Sequence, residues 1–128
     1  NIKTLTQKLH DKAFINAKSY YTTERYKAAV TALKNALAKY PDTSHREEIL
    51  YLTAKSNYLL ASNSLQFLMR DRYMDMMDAY YTFISEYPQS KYVEELTRMQ
   101  EKAKGYLAQF SDAEHAGEEV PEPPKQVD

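Results

Sequence analysis

The chain has 128 residues, 43% of them apolar and 27% charged, with a net charge of −1, 2 Gly and no Cys or Trp. That length makes one domain or a piece of one. Without cysteine there is no disulfide or thiolate chemistry, two glycines leave little room for the hairpin turns of an all-β fold, and no apolar run approaches the ~20 residues that span a bilayer. The charge is uneven: residues 111–128 carry −5, leaving +4 on residues 1–110. That excess has no basic cluster and is too weak to argue for nucleic acid. The chain opens at Asn1 without a Met, a signal peptide or a lipid-anchor Cys, which reads as a fragment or a processed product.

Five helices are predicted. The first covers about residues 3–22, with Leu5, Leu9, Phe14, Ala17, Tyr20 and Tyr21 as its buried side. The second covers 24–40 and stops at Pro41, which disfavours helical geometry in the residue before it. Ser44-x-x-Glu47 reads as a capping box that opens a third helix over 44–64, carrying Ile49, Leu52, Ser56, Leu59 and Leu60. The fourth is expected over 71–87. Gln89-Ser90 then turns the chain into a fifth over 90–110, with Val93, Leu96, Met99, Ala103, Tyr106, Leu107 and Phe110 inward. Residues 111–128 hold three of the five prolines and almost no large apolar groups, a composition expected to stay disordered. Within it Pro-Glu-Pro-Pro (121–124) has the form of a polyproline-II ligand, but it lacks basic anchors, and a solvated end is the expected reading.

The helices repeat. Tyr26, Ala29, Val30, Leu33, Ala36, Leu37 and Tyr40 recur 47 residues later as Tyr73, Met76, Met77, Tyr80, Phe83, Ile84 and Tyr87. The spacing within each set puts all seven on one helical stripe. Ala17-Lys18-Ser19-Tyr20-Tyr21 recurs 37 residues later as Ala54-Lys55-Ser56-Asn57-Tyr58. The second unit therefore carries about ten extra residues, around 61–72. A helix pair with such a stripe cannot bury it alone, so the pattern predicts stacked pairs. Met76 and Phe83 make the fourth helix bulkier than the second, and Ala103, Gly105 and Ala108 are expected to form its thin partner. Gly105→Leu is accordingly expected to overpack that contact.

Little chemistry is legible. His10, His45 and His115 lack metal-ligand spacing, and the first two read as exposed helix residues. Glu47-Glu48 and Glu94-Glu95 stand near helix starts, where the helix dipole favours them. No nucleophile elbow or Gly-rich phosphate loop is present, so neither enzymatic activity nor a cofactor is expected. The candidate contact residues lie at the insertion: Leu65, Phe67, Leu68 and Met69, followed by Arg70-Asp71-Arg72. Either the third and fourth helices run longer and pack these residues together, or a protruding hairpin offers apolar anchors and arginines to a partner. Met74 and Tyr81 fall off the buried stripe and are candidates for exposed contact.

The first unit places Ala17, Tyr20, Ala29, Leu33, Ala36 and Pro41 in the order of small, aromatic and proline positions of a tetratricopeptide repeat, which it resembles. In the second, Asn63-Ser64-Leu65-Gln66, Arg70-Asp71-Arg72-Tyr73, Ala79-Tyr80, Phe83-Ile84 and Tyr87-Pro88-Gln89-Ser90-Lys91-Tyr92 resemble BamD, a family of outer-membrane protein assembly lipoproteins. The similarity covers about residues 5–110. It implies an all-α, tetratricopeptide-like solenoid of two helix hairpins plus a C-terminal capping helix, over residues 1–110, forming the C-terminal part of a longer protein. It further implies a lipid-anchored scaffold at the periplasmic face of the outer membrane that docks the periplasmic (POTRA) domains of BamA, with other assembly lipoproteins as further partners. On that reading Leu65, Phe67, Met69, Arg70, Arg72, Met74 and Tyr81 are the candidate docking residues. The alternative is a repeat module that captures extended peptides and has no tie to the outer membrane.

Overall fold

The structure, a computed structural model, describes residues 3–115. Among them the backbone forms five α-helices and no strand: α1 (Leu5–Thr22), α2 (Tyr26–Lys39), α3 (Arg46–Ser62), α4 (Gln66–Glu86) and α5 (Val93–His115). Each helix packs on the next; α1 also packs on α3 and α3 on α5, whereas the backbones of α2 and α4 make no close approach, nor do those of α1 and α5. A closed bundle would bring the last helix back to the first. Here α1, α3 and α5 form one layer and α2 and α4 the other, the open stack of a tetratricopeptide-like solenoid.

The two elbows between units repeat atom for atom. Tyr40 N–H donates to Ala36 O, Thr43 N–H to Tyr40 O and Arg46 N–H to Thr43 O; 47 residues on, Tyr87, Ser90 and Val93 donate to Phe83, Tyr87 and Ser90 in the same way. Thr43 Oγ1 accepts from His45 N–H at 3.2 Å, as Ser90 Oγ accepts from Tyr92 N–H at 3.1 Å. This turn replaces the capping box expected at Ser44-x-x-Glu47. Ser44 is exposed, and α3 begins without a side-chain cap. A capping box does form at α1, between Thr4 and Gln7.

Stacking explains which faces are buried. α3, in the middle, is covered nearly all round, with Ile49, Leu50, Leu52, Ala54, Ser56, Asn57 and Ala61 buried. In α5 the elbow register of 47 residues carries Ile49, Leu52, Thr53 and Ser56 onto Leu96, Met99, Gln100 and Ala103, which face the core. It carries Tyr51, Ala54 and Asn57 onto Arg98, Glu101 and Lys104, all exposed. α5 thus turns charge outward where α3 buries its side chains, the polar outer face of a capping helix.

α1 shows the reverse. Ile15, Asn16 and Ser19 match Leu52, Thr53 and Ser56 at the 37-residue offset yet are exposed, as are Leu5 (74%) and Leu9 (44%). The expectation that Leu5 and Leu9 are buried fails because that side of α1 has no helix against it. Gly105 and Ala108 fail as a thin partner for the same geometric reason. Both are exposed, and a Cβ at Gly105 would meet nothing within 4 Å. Ala103 alone of the three is buried, so Gly105→Leu meets no neighbour to overpack. α5 also continues to His115 rather than ending at residue 110; the rest of the acidic segment, from residue 116, lies outside the described residues.

The turn after α1 carries local strain. Glu24 has φ 62°, its N–H donates to Tyr21 O, and Arg25 N–H donates to Tyr20 O. This pair of bonds forms a Schellman motif, whose left-handed residue is usually glycine because a Cβ there crowds the backbone. Glu24→Gly is expected to stabilise the fold by about 1 kcal/mol, after the added freedom of the unfolded chain is subtracted. Urea denaturation followed by circular dichroism tests it, and a lower midpoint would contradict the strain argument.

Candidate docking surface

The ten extra residues of the second unit extend its helices. α3 runs to Ser62, three residues past Leu59, the position equivalent to Thr22. α4 begins at Gln66, seven residues before Tyr73, the equivalent of Tyr26. The turn between them, 63–65, is as short as the one at 23–25. The insertion is therefore a longer hairpin with helical walls, which combines the two expectations: the helices lengthen, and their tip overreaches the first unit.

The structure sorts the seven candidate residues into two groups. Phe67, Arg70, Met74 and Tyr81 fall on one stripe of α4 at steps of three, four and seven. Met74 (49%) and Tyr81 (53%) are exposed, Phe67 is half-buried, and the Arg70 guanidinium lies 4.9 Å from the Phe110 ring centroid on α5. That cation–π contact holds Arg70 in place. The sequence places Phe110 on the inward stripe of the fifth helix, and no local spacing signals a contact across 40 residues. The other three candidates are elsewhere. Leu65 (62% exposed) caps the tip, Met69 packs inward against the core, and Arg72 donates to Ser64 Oγ at 2.7 Å on the flank toward α2.

A polar ladder fixes α1, α3 and α5 relative to one another. Phe14 stacks on His45 at 4.3 Å, and their repeat equivalents Tyr51 and Tyr92 stack at 3.8 Å. Lys18 pairs with Glu48 at 2.8 Å, and the equivalents Lys55 and Glu95 pair at 2.9 Å. The second acid of each Glu-Glu pair thus reaches back to a lysine one unit earlier, a role beyond the helix start. His45 Nε2 lies 2.6 Å from Asp11 Oδ1, and His10 packs on Tyr40 at 4.5 Å. Both histidines are half-buried, not exposed as expected, because each fills a joint between helices.

The ladder perturbs its titratable groups. Burial, then the hydrogen bond to Glu95, pushes the Tyr51 phenol up to about 12. Burial works against the Lys55 charge, but bonds with Glu95, Tyr21 and Tyr51 outweigh it and hold Lys55 above the ordinary lysine range. Burial likewise raises Glu95, yet Lys55 and Tyr51 bring it below the carboxylate range. Hydrogen bonds from Lys3 and then His45 lower Asp11; outside the ladder, between α3 and α4, Arg46 lowers Glu86. Asp75, raised by desolvation, works in the opposite sense.

A carboxyl lowered in the folded state adds stability that is complete above its unfolded value and lost as pH falls through the folded one. Three lowered groups against one raised predict a melting temperature that drops from about pH 4 downward. Thermal melts between pH 7 and pH 3 test this, and a flat or rising profile would contradict these carboxylate pairings.

Among the described residues, no group of three or more His, Cys, Asp or Glu could hold a metal ion, and no helix is long and apolar enough to cross a membrane.

No curated protein matches the chain. The family model YfiO, described as outer membrane lipoprotein, matches residues 6–113, nearly the span over which the sequence resembles BamD. The five-helix stack and a match over most of its length lead to one assignment: the chain belongs to the YfiO family of outer membrane lipoproteins.

Proposed function

We propose that the chain is a non-enzymatic scaffold of the outer-membrane β-barrel assembly machinery, acting at the periplasmic face of the outer membrane. Its second hairpin docks a folded periplasmic (POTRA) domain of a BamA-like protein, and other assembly lipoproteins are further partners. The lipid anchor belongs to the full-length protein, of which these repeats are the C-terminal part.

One observation carries the reading. Among the described residues the exposed large apolar side chains are Leu5, Leu9 and Ile15 on α1, and Leu65, Met74 and Tyr81 on the second hairpin. The α1 set lies on the side that a preceding helix of the α2 type covers in α3, so an upstream repeat accounts for it. The second set departs from the repeat. At the positions of Met74 and Tyr81 the first unit has Lys27 and Lys34, both exposed. Apolar groups stand on α4 where exposed lysines stand on α2, flanked by Arg70 for an acidic partner residue. Such a patch marks a protein contact.

A photo-crosslinking residue placed at 74 or 81 of the full-length protein in membranes is expected to capture the BamA-type periplasmic domain, and one at 27 or 34 is not. Capture from 27 or 34 alone would overturn the assignment of the surface. Crosslinks confined to short unfolded chains would favour the peptide-receptor alternative.

A further inference from the structure

The longer second hairpin overhangs the α1–α2 turn of the first and leaves an open groove of about 870 Å³ between them. Ala28 and Ala32 of α2 and Leu60 of α3 give it an apolar lining, together with the rings of Tyr20 and Tyr26. Its charged rim is Arg25, Lys27 and Arg72 against the one acid Glu24. This groove lies on the opposite flank of α4 from the Arg70–Met74–Tyr81 stripe. Aromatic rings, an apolar lining and excess positive charge suit an extended, acidic, proline-containing segment, since polyproline-II strands dock in aromatic-lined grooves at low ordering cost.

The chain carries such a segment. Residues 116–128 interleave Glu118, Glu119 and Glu122 with Val120, Pro121, Pro123 and Pro124. We propose that this C-terminal segment docks in cis into the groove between the two hairpins, an intramolecular strap that any competing acidic segment must displace.

Two observations support this occupant over a foreign one, and tethering adds to them. The basic anchors that Pro-Glu-Pro-Pro lacks in its own sequence are supplied by Arg25, Lys27 and Arg72. The path is short: Phe110 near the end of α5 sits against Arg70, while Arg72, two residues on, already lines the groove. The segment leaves α5 after His115, about 9 Å beyond Phe110, and has to pass one helix, about 10–12 Å across, while thirteen residues of polyproline-II span about 40 Å. Tethering at that length gives an effective concentration on the order of millimolar, so weak contacts suffice.

The absence of cysteine makes the test clean. A nitroxide on Gln126→Cys in the full chain is expected to broaden the amide resonances of Ala28, Thr31 and Ser64 to most of their intensity. The broadening should recover at about 0.5 M salt, where charges are screened over a few ångströms. It should also recover in the Arg25→Glu, Lys27→Glu double variant, whose circular dichroism confirms the fold. Unbroadened groove amides at low salt would overturn the proposal, as would broadening indifferent to charge reversal. Broadening seen only between separate labelled and isotope-enriched molecules would overturn the cis assignment.

Discussion

Phe83→Ala is expected to cost about 3–5 kcal/mol, the range for removing a fully buried aromatic ring. Phe83 is 0% exposed, within the same core cluster as Ile49, Met76 and Leu96, and its ring lies 5.8 Å from that of Tyr87. Collapse around the cavity is opposed from both sides, because α4 is held by α3 and by α5. Against a typical domain stability of about 5–15 kcal/mol, this single change leaves the fold marginal. The repeat supplies its own control. The equivalent position in α2 is Ala36, 8% exposed, so the first unit packs without a ring there. Ala36→Phe is therefore expected to overpack by about 1–3 kcal/mol. Urea denaturation followed by circular dichroism reads both, and a cost below about 1 kcal/mol for Phe83→Ala would show that the two units are not packed at fixed, different spacings.

The second large effect is on docking. Met74→Lys with Tyr81→Lys installs the residues that the first unit carries at the same helical positions, so the helix itself tolerates them. Both sites are about half exposed, and exposed substitutions away from special features stay within about 0.5 kcal/mol of wild type. At the proposed interface the same pair removes an aromatic and a flexible apolar anchor and brings two charges into a desolvated contact. Hot-spot losses of that kind run at about 2–4 kcal/mol, or roughly 30- to 1,000-fold in affinity. Unaltered thermal stability with lost binding is the expected signature. Equal loss of both would mean that Met74 and Tyr81 support the fold and not a partner.

How much of this was legible in the sequence depended on the range of the signal. The stripes from Tyr26 to Tyr40 and from Tyr73 to Tyr87, and the stops at Pro41 and Pro88, are local patterns, and the helices follow them. Periodicity says that a residue is apolar; it does not say whether a neighbour arrives. That is why Leu5 and Leu9 share the stripe of a buried helix yet face outward, and why Gly105 and Ala108 looked like a thin contact and are surface. The start of α4 came five residues early because Leu65, an extended N-cap with no Gly or Pro beside it, gives no punctuation. Arg70 on Phe110 joins residues that only the fold brings together. The ladder was within reach: the lysines repeat at 37 and the glutamates at 47, so Lys18–Glu48 and Lys55–Glu95 are one contact made twice. Of the candidate docking residues, Phe67, Arg70, Met74 and Tyr81 share a face, whereas Met69 turned inward because the lengthened α4 adds an extra turn to the core stripe.

The most direct measurement is a calorimetric titration of this chain with the isolated periplasmic domains of a BamA-type protein. Saturable one-to-one binding to a folded POTRA domain, weakened by Met74→Lys with Tyr81→Lys, is the predicted result. No heat with any folded domain, alongside measurable affinity for a short extended peptide, would contradict the scaffold.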